Sequence, residues 1–192
     1  EAHATGALGR TGRGVAEEQD VDPADVEIWM GTLSKTLAAA GGYIAGSRAL
    51  IELIKYTSPG FVFSVGLSPP VAAAATAAVD VMLREPWRAA ALRRNGLSLL
   101  EKAKACGLDT GLSIGASVVP VIVGNSPQTV MLSERLLARG FNVVPAVFPG
   151  VAENQARLRF FVTSEHTPDQ IEAVIDAVAE ELPKVRSGSS FV

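Results

Sequence analysis

The chain has 192 residues, of which 48% are hydrophobic and 19% are charged, and its formal net charge is -3. This balance is typical of a globular protein with a substantial core, and it argues against a disordered chain. The slightly acidic charge provides no basic surface for nucleic acid or an anionic membrane, so we expect neither as a partner.

Hydropathy and cysteine content bear on the expected location. No apolar run reaches the ~20 residues of a membrane span, because Arg84 and Glu85 end the alanine-rich stretch that follows Pro70. Cys106 is the only cysteine, so an intrachain disulfide is excluded and a reducing cytoplasm is the expected location. No cluster of cysteine and histidine indicates a metal site.

The first half of the chain is predicted to alternate loops, short strands and helices. Residues 1–25 are rich in glycine and acidic side chains and are predicted to be mostly loop. Apolar spacing then predicts a buried strand at 26–30, a neighbouring strand at 41–45, a helix at 48–56, an extended run at 61–65 and a long helix from Pro69 to Leu83. Because Pro86 would end or kink that helix, we expect a large-domain part at 1–85 and a small domain at 86–192.

The second half is predicted to be a mixture of helices and strands. Helices are expected at 88–105, 126–139 and 168–182, and strands at 117–123, 142–148 and 157–163. Thr167-Pro168-Asp169-Gln170 matches a capping box at a helix start, and residues 187–190 look like a frayed tail. The order of elements predicts an α+β small domain attached to part of an α/β large domain.

One lysine stands in an unusual setting. Lys35 closes the run Gly31-Thr32-Leu33-Ser34-Lys35 directly after the first predicted strand, and small residues follow it. The run contains no carboxylate, and burial there would lower the pKa of the amine, as a nucleophile or Schiff-base former requires. The alternative is an ordinary surface lysine at the end of a strand.

Two arginines share one face of a predicted strand. The period of two along the strand places Arg157 and Arg159 opposite Leu158 and Phe160. A guanidinium makes a planar, two-pronged match to a carboxylate, so either arginine is a candidate for binding one. Spacing alone does not choose between them, and both could instead be solvated.

The glycines at positions 6, 9, 12 and 14 look superficially like a dinucleotide-binding loop. No predicted strand precedes them and no periodic helix follows, so we interpret them as positions where the backbone turns sharply. The chain also lacks the G-x-x-x-x-G-K-[ST] run of a nucleoside-triphosphate loop.

Taken together, the motifs of the chain resemble one enzyme family. The segments that carry the resemblance are Glu1-Ala2-His3-Ala4-Thr5-Gly6, Gly12-Arg13-Gly14, Gly31-Thr32-Leu33-Ser34-Lys35, Gly41-Gly42-Tyr43, 61–70, 120–124, Ala156-Arg157-Leu158-Arg159 and Glu165-His166-Thr167-Pro168. In order and spacing, over nearly the whole chain, they resemble the α-oxoamine synthases. These are pyridoxal-phosphate (PLP) enzymes of the aspartate-aminotransferase fold, fold type I, and include 8-amino-7-oxononanoate synthase, 2-amino-3-ketobutyrate CoA ligase and serine palmitoyltransferase.

The resemblance implies a role for individual residues. Lys35 would hold PLP and later move the proton at the substrate Cα, and His3 would approach the PLP phenolic oxygen and the substrate. Thr32 would bind the cofactor phosphate, and Ser64 would reach the phosphate of a partner subunit, which implies a homodimer. Val65 stands where many relatives carry a second hydroxyl, so the contribution of the partner is expected to be weaker here.

The same resemblance assigns the substrate carboxylate to Arg159, leaving Arg157 as a surface or interdomain residue and His166 as a packing residue at a helix start. It implies decarboxylative condensation of an α-amino acid with an acyl thioester, from CoA or an acyl carrier, to give an α-amino ketone. The alternatives are an aminotransferase of the same fold and a catalytically silent fragment or dimerisation module.

The family motif carries an aspartate directly before the glutamate that matches Glu1, and this aspartate pairs with the PLP ring nitrogen. We therefore expect the chain to be the carboxy-terminal half of a longer enzyme and to be inactive by itself.

Overall fold

A computed structural model of the chain describes residues 1–188, so positions 189 and 190 of the expected tail lie outside the described residues. The chain divides into two compact units, Glu1–Ala90 and Ala91–Val192. The division falls inside a helix that begins at Trp87, and the domain boundary expected at Pro86 stays a prediction.

The first unit contains two strands and several helices. In chain order they are α1 Val15–Gln19, a 3-10 turn Pro23–Asp25, β1 Ile28–Thr32, β2 Gly42–Gly46, α2 Arg48–Thr57, α3 Pro59–Val62 and α4 Pro69–Arg84, followed by α5 Trp87–Ala105, which crosses into the second unit. The strands pair antiparallel, with Ile28 opposite Gly46 and Thr32 opposite Gly42. Leu33, Leu37 and Ala75 form the small core of this unit.

The first predicted strand forms, but the prediction that it is buried is wrong. Ile28 and Met30 are 51% and 52% exposed, whereas Gly31 is buried. Side chains alternate between the two faces of a strand, and β1 pairs only with β2 among the described residues. The apolar side chains of one face of this narrow sheet therefore stay accessible in the unit.

The prediction of an extended run at 61–65 is also wrong for its first two residues, Phe61 and Val62, which belong to α3. Pro59 begins α3 as its first-turn residue, and the backbone N–H groups of Phe61 and Val62 donate to Ser58 O. Proline favours this position because its fixed φ suits a helix and its missing N–H leaves no donor unpaired. The helical turn ends at Val62.

The second unit is an antiparallel sheet covered by helices, which confirms the predicted α+β class. Its remaining elements are β3 Val118–Gly124, α6 Ser126–Ala138, β4 Val144–Ala146, β5 Ala156–Phe161 and α7 Pro168–Arg186. The strand order is β3-β5-β4. Val119, Val121, Leu158 and Phe160 point into the core together with Leu132 and Ile175 of the helices.

Local sequence signals explain several boundaries in this unit. The capping box at the start of α7 is present, with Thr167 accepting from the Gln170 amide and the Gln170 side chain accepting from the Thr167 amide. Strand β4 is shorter than predicted, and Pro145 within it has no N–H for the ladder, a loss that an edge strand tolerates.

Cys106 packs partly buried against the core. Among residues 1–188, no helix has both the length and the apolar character of a membrane span.

Candidate active site

Lys35 lies in the loop of residues 33–41 that joins β1 to β2. The loop is closed by two backbone hydrogen bonds, from Leu33 N–H to Gly41 O at 2.9 Å and from Ala39 N–H to Leu33 O at 2.8 Å. Leu33 and Leu37 are 6% and 5% exposed. Because these leucines anchor the loop in the core of the unit, the intervening Lys35 faces outward.

The predicted desolvation of Lys35 is wrong for this unit, because the side chain is exposed. Its buried neighbours take the inward positions and leave no apolar cover over the amine. The Nζ atom donates to Thr32 Oγ1 at 3.5 Å. No ion pair to Lys35 occurs among residues 1–188. The amine is therefore accessible and has no bound carboxylate to displace.

His3 lies in the glycine-rich loop of residues 1–14, which is held by its own backbone. Gly6 N–H donates to Gly12 O at 2.7 Å, and Gly14 N–H donates to Leu8 O at 3.0 Å. Gly6 and Gly12 have φ of 79° and 82°, in the left-handed region that favours glycine. The prediction of sharp backbone turns at these glycines is confirmed.

Carboxylates from the following short helix organise this loop, a feature that the sequence reasoning missed. Glu17 accepts from the Thr11 hydroxyl at 2.8 Å, the Thr11 amide at 3.0 Å and the Arg13 amide at 3.1 Å. Glu18 accepts from the Gly9 amide at 2.9 Å. Burial raises the pKa of Glu17, but the hydrogen bonds from Thr11 and Arg13 outweigh it and lower that pKa below 4.5. Helix α1 follows the glycines directly, contrary to the expectation of no helix there, although it is only 5 residues long.

Two threonines join the His3 loop to the Lys35 loop. Thr32 Oγ1 donates to Ala2 O at 3.3 Å, and Thr36 Oγ1 donates to Thr5 O at 2.8 Å. Gly6 lies so close to Thr36 that a Cβ added at Gly6 would collide with the threonine side chain. The structure therefore brings the segments that carry Lys35, Thr32 and His3 together, and the His3 ring makes no hydrogen bond to residues 1–188. Sequence reasoning did not identify Thr36.

Ser64 lies in the exposed segment of residues 63–68, between α3 and α4. Its hydroxyl donates to Phe61 O at 3.1 Å and accepts from Gly66 N–H at 3.4 Å. The segment approaches the Lys35 loop at Leu67, since a Cβ built on Gly41 would lie 3.1 Å from Leu67 Cδ1. Within residues 1–188, no hydrogen bond joins Ser64 to Lys35, Thr32 or His3.

The structure distinguishes the two arginines of the second unit. Arg157 is engaged locally, with Nε donating to Gln155 O at 2.8 Å and a terminal nitrogen donating to Gln155 Oε1 at 3.4 Å. Arg159 makes no hydrogen bond or ion pair to residues 1–188, and its guanidinium carbon lies 4.8 Å from the centre of the Phe161 ring. Arg159 is therefore the arginine whose donors are available to a ligand.

Arg159 and His166 both line a cleft of about 330 Å³ in the second unit. His166 Nδ1 accepts from the Thr163 amide at 3.0 Å, and its backbone carbonyl accepts from Asn95 Nδ2 at 2.8 Å. These contacts fix the turn before α7, as expected of a residue at a helix start.

Comparison with known proteins relates this geometry to a family. The model of the aminotransferase class I and II family matches residues 1–178. The chain is 39% identical to 8-amino-7-oxononanoate synthase of Symbiobacterium thermophilum, over 94% of this chain and 45% of that protein. It is 37% identical to 4-hydroxy-2,2'-bipyrrole-5-methanol synthase of a Serratia species, over 95% and 28%, and 33% identical to serine palmitoyltransferase 2 of Caenorhabditis elegans, over 93% and 33%.

Solved structures agree with these relatives. A serine palmitoyltransferase structure with a PLP internal aldimine superposes with a TM-score of 0.89 at 27% identity, over 97% of this chain and 47% of that chain. Serine palmitoyltransferase of Sphingomonas wittichii gives 0.88 at 27% identity, with the same coverage of 97% and 47%. The chain thus spans less than half the length of these relatives.

The family match and the solved structures confirm the expected fold, that of the PLP-dependent transferases. The chain belongs to the aminotransferase class I and II family of PLP-dependent enzymes.

Proposed function

We propose that the whole protein is a PLP-dependent acyltransferase that condenses an α-amino acid with an acyl thioester, releases CO2 and the thiol, and forms an α-amino ketone. The observation that carries the proposal is the pair of hydrogen bonds from the Thr32 and Thr36 hydroxyls to the His3 loop, which place the segment of Lys35 next to that of His3. The relatives support the reaction class, because they include 8-amino-7-oxononanoate synthases and serine palmitoyltransferases.

The residues of the first unit fit PLP. Lys35 offers an exposed amine with no ion pair among residues 1–188, and an accessible lysine amine can form a Schiff base with the PLP aldehyde. Thr32 provides a hydroxyl 3.5 Å from that amine, and its proton, which Ala2 O accepts in the unit, would turn to a phosphate oxygen when PLP binds. When bound, PLP supplies an electron sink for negative charge at the substrate Cα.

The other roles follow from what each side chain offers. With PLP bound there, the Lys35 amine would act as the base that moves the proton at the substrate Cα. His3 has an exposed ring that is free to donate to an oxygen of the cofactor or substrate. Arg159 holds the amino-acid carboxylate with its unpaired N–H donors.

The reaction class is tested with the full-length enzyme, PLP, acyl-CoA and glycine, L-alanine or L-serine. We expect free thiol and CO2 to appear together, in equal amounts. Arg159→Ala should weaken amino-acid binding by about 2–5 kcal/mol, the range for truncating one partner of a desolvated charge pair. Arg159→Lys should restore little of it, and Arg157→Ala should have far less effect. Conversion of a keto acid to an amino acid without thiol release would instead establish an aminotransferase.

We further infer that the protein is a homodimer in which Ser64 serves the partner's phosphate site. Large apolar side chains flank Ser64 in the sequence without cover in the unit: Phe63 is 87% exposed and Val65 is fully exposed, and Tyr56, eight residues before Ser64, is 81% exposed. Large apolar side chains that are exposed in this way often mark an interface. Because Val65 has no hydroxyl, the Ser64 hydroxyl, which lies between Phe63 and Val65 in the sequence, is the group proposed to contact the partner's phosphate.

Hybrid dimers test this assignment. Ser64→Ala and Lys35→Ala subunits, each defective when paired with itself, are co-expressed under different affinity tags. If Ser64 acts across the interface, each hybrid contains one site with both Lys35 and Ser64, and PLP binding by about half of the sites should return. Hybrids that bind PLP no better than the defective parents, or a protein that stays monomeric, would contradict the assignment.

A further inference from the structure

Arg159 and Phe161 project from the same face of β5, two positions apart, and the guanidinium carbon lies 4.8 Å from the ring centre. The residues opposite Arg159 on the neighbouring strands are Pro120 and Val144. Neither carries a charge, and Arg159 has no ion pair or hydrogen bond to residues 1–188. Among residues 1–188, the ring of Phe161 is therefore the interaction partner of the Arg159 guanidinium.

Stacking of this kind leaves the donors of the guanidinium free. The guanidinium carbon lies over the ring, and a cation–π contact of this kind needs none of the N–H groups as a partner for an acceptor atom. An arginine side chain has many rotamers, and restricting them before a ligand arrives removes part of the entropy cost of binding. The contact therefore restricts the Arg159 guanidinium before the carboxylate binds, while its N–H donors stay available.

Phe161 has no comparable role in the core. The adjacent Phe160 is 5% exposed and packs inside the second unit, whereas Phe161 is 48% exposed on the opposite face. This exposed ring lies beside a guanidinium that has no hydrogen bond or ion pair to residues 1–188. Arg157 lies on the same face but is held by Gln155, so the aromatic contact distinguishes Arg159.

We propose that Phe161 is a positioning residue that presents the Arg159 guanidinium to the carboxylate of the amino-acid substrate. The inference rests on the proposed function and adds a residue to its carboxylate site. Phe161 touches the arginine and not the reacting atoms, so its removal affects binding of the amino acid and leaves the chemical step at saturating substrate nearly unchanged.

The test compares Phe161→Leu with Phe161→Tyr in the full-length enzyme loaded with PLP. Dissociation constants for glycine, L-alanine and L-serine are taken from the absorbance change of the bound cofactor, without an acyl donor. Phe161→Leu should raise the constant of the preferred amino acid about two- to five-fold, as expected for losing an exposed cation–π contact. Phe161→Tyr should restore it, and kcat should change little.

A matched control is available in the first unit. The Arg88 guanidinium lies 4.6 Å from the Trp87 ring centre, so Trp87→Leu removes a similar contact from a residue with no assigned role. This variant should leave the amino-acid dissociation constant unchanged. An equal rise in Trp87→Leu and Phe161→Leu would show a general loss of stability and overturn the proposal.

A second measurement does not depend on turnover. The rate at which phenylglyoxal labels Arg159, followed by peptide mapping, should rise in Phe161→Leu because the ring no longer lies next to the guanidinium, whereas labelling of Arg157 should not change. Unchanged binding and unchanged labelling in Phe161→Leu would overturn the inference, even if the enzyme releases thiol. A wild-type enzyme that binds the amino acid but releases no thiol would contradict the proposed reaction alone.

Discussion

The Glu181 carboxylate of α7 accepts from Arg135 Nε of α6 at 2.7 Å, in a position where the glutamate side chain is only 9% exposed. Lys184 donates to the other carboxylate oxygen at 2.8 Å. The hydrogen bonds from Lys184 and Arg135 lower the pKa of Glu181 from 4.5 to about 2, against the opposing effect of burial. This cluster links α6 to α7, two of the helices that pack on the sheet.

Replacing Glu181 with glutamine should destabilise the chain, because Arg135 and Lys184 would lose a negative charge that both contact in a largely buried position. We expect a loss of about 2–4 kcal/mol in the free energy of unfolding at pH 7, measured by urea denaturation. The matched control is Glu180→Gln, since Glu180 pairs with Arg139 at an exposed position and should cost less than about 1 kcal/mol. Equal losses for the two variants would contradict this account.

The same contact predicts a pH dependence. The pKa of Glu181 is lower in the folded chain than its ordinary value of 4.5, so the stabilisation is complete above that value and is lost as the pH falls from 4.5 towards about 2. The difference in unfolding free energy between wild type and Glu181→Gln should therefore shrink as the pH is lowered through this range. A difference that stays constant down to pH 3 would show that the carboxylate titrates normally.

Thr36 should stabilise the conformation of the His3 loop, because its hydroxyl donates a hydrogen bond to Thr5 O in that loop. Thr36→Val keeps the shape but removes this donor, at a cost of about 1 kcal/mol. We expect faster hydrogen exchange for the amides of residues 3–8 and weaker PLP binding, with recovery in Thr36→Ser. Exchange rates in Thr36→Val that match those of wild type would show that the contact does not order the loop.

Gly96 lies where α5 meets the carbonyl oxygens of Gly115 and Ala116, and a Cβ there would collide with both. Alanine normally favours a helix by ~1 kcal/mol over glycine. Here overpacking by about 1–3 kcal/mol should outweigh that gain, so Gly96→Ala should lower the midpoint of urea unfolding. Gly60 of α3 has open space around it, and Gly60→Ala should be neutral or slightly stabilising. A Gly96→Ala variant that is more stable than wild type would contradict the packing described.

The features that follow from local sequence were largely predictable. The capping box at Thr167 needs only residues 167–170, and the placement of Lys35 after a strand follows from a short apolar run and the small residues beyond it. In the same way, a period of two along the strand was enough to put Arg157 and Arg159 on one face.

The features that depend on distant partners were not predictable in this way. Whether Ile28 and Met30 are buried depends on which element packs on their face of the sheet. The local spacing of apolar residues does not indicate that element. The exposure of Lys35 follows from Leu33 and Leu37 taking the inward positions of the loop. The contact from Thr36 to Thr5 joins residues 31 positions apart and leaves no periodic signal.

The role proposed for Lys35 is tested by locating PLP on the polypeptide. The full-length enzyme is loaded with PLP, reduced with borohydride, digested and mapped by mass spectrometry. We predict a phosphopyridoxyl group on Lys35, whose exposed amine lies 3.5 Å from Thr32 Oγ1, and no such label in Lys35→Ala. Labelling of Lys55 or Lys102 instead of Lys35 would contradict the assignment of Lys35 as the lysine that holds PLP.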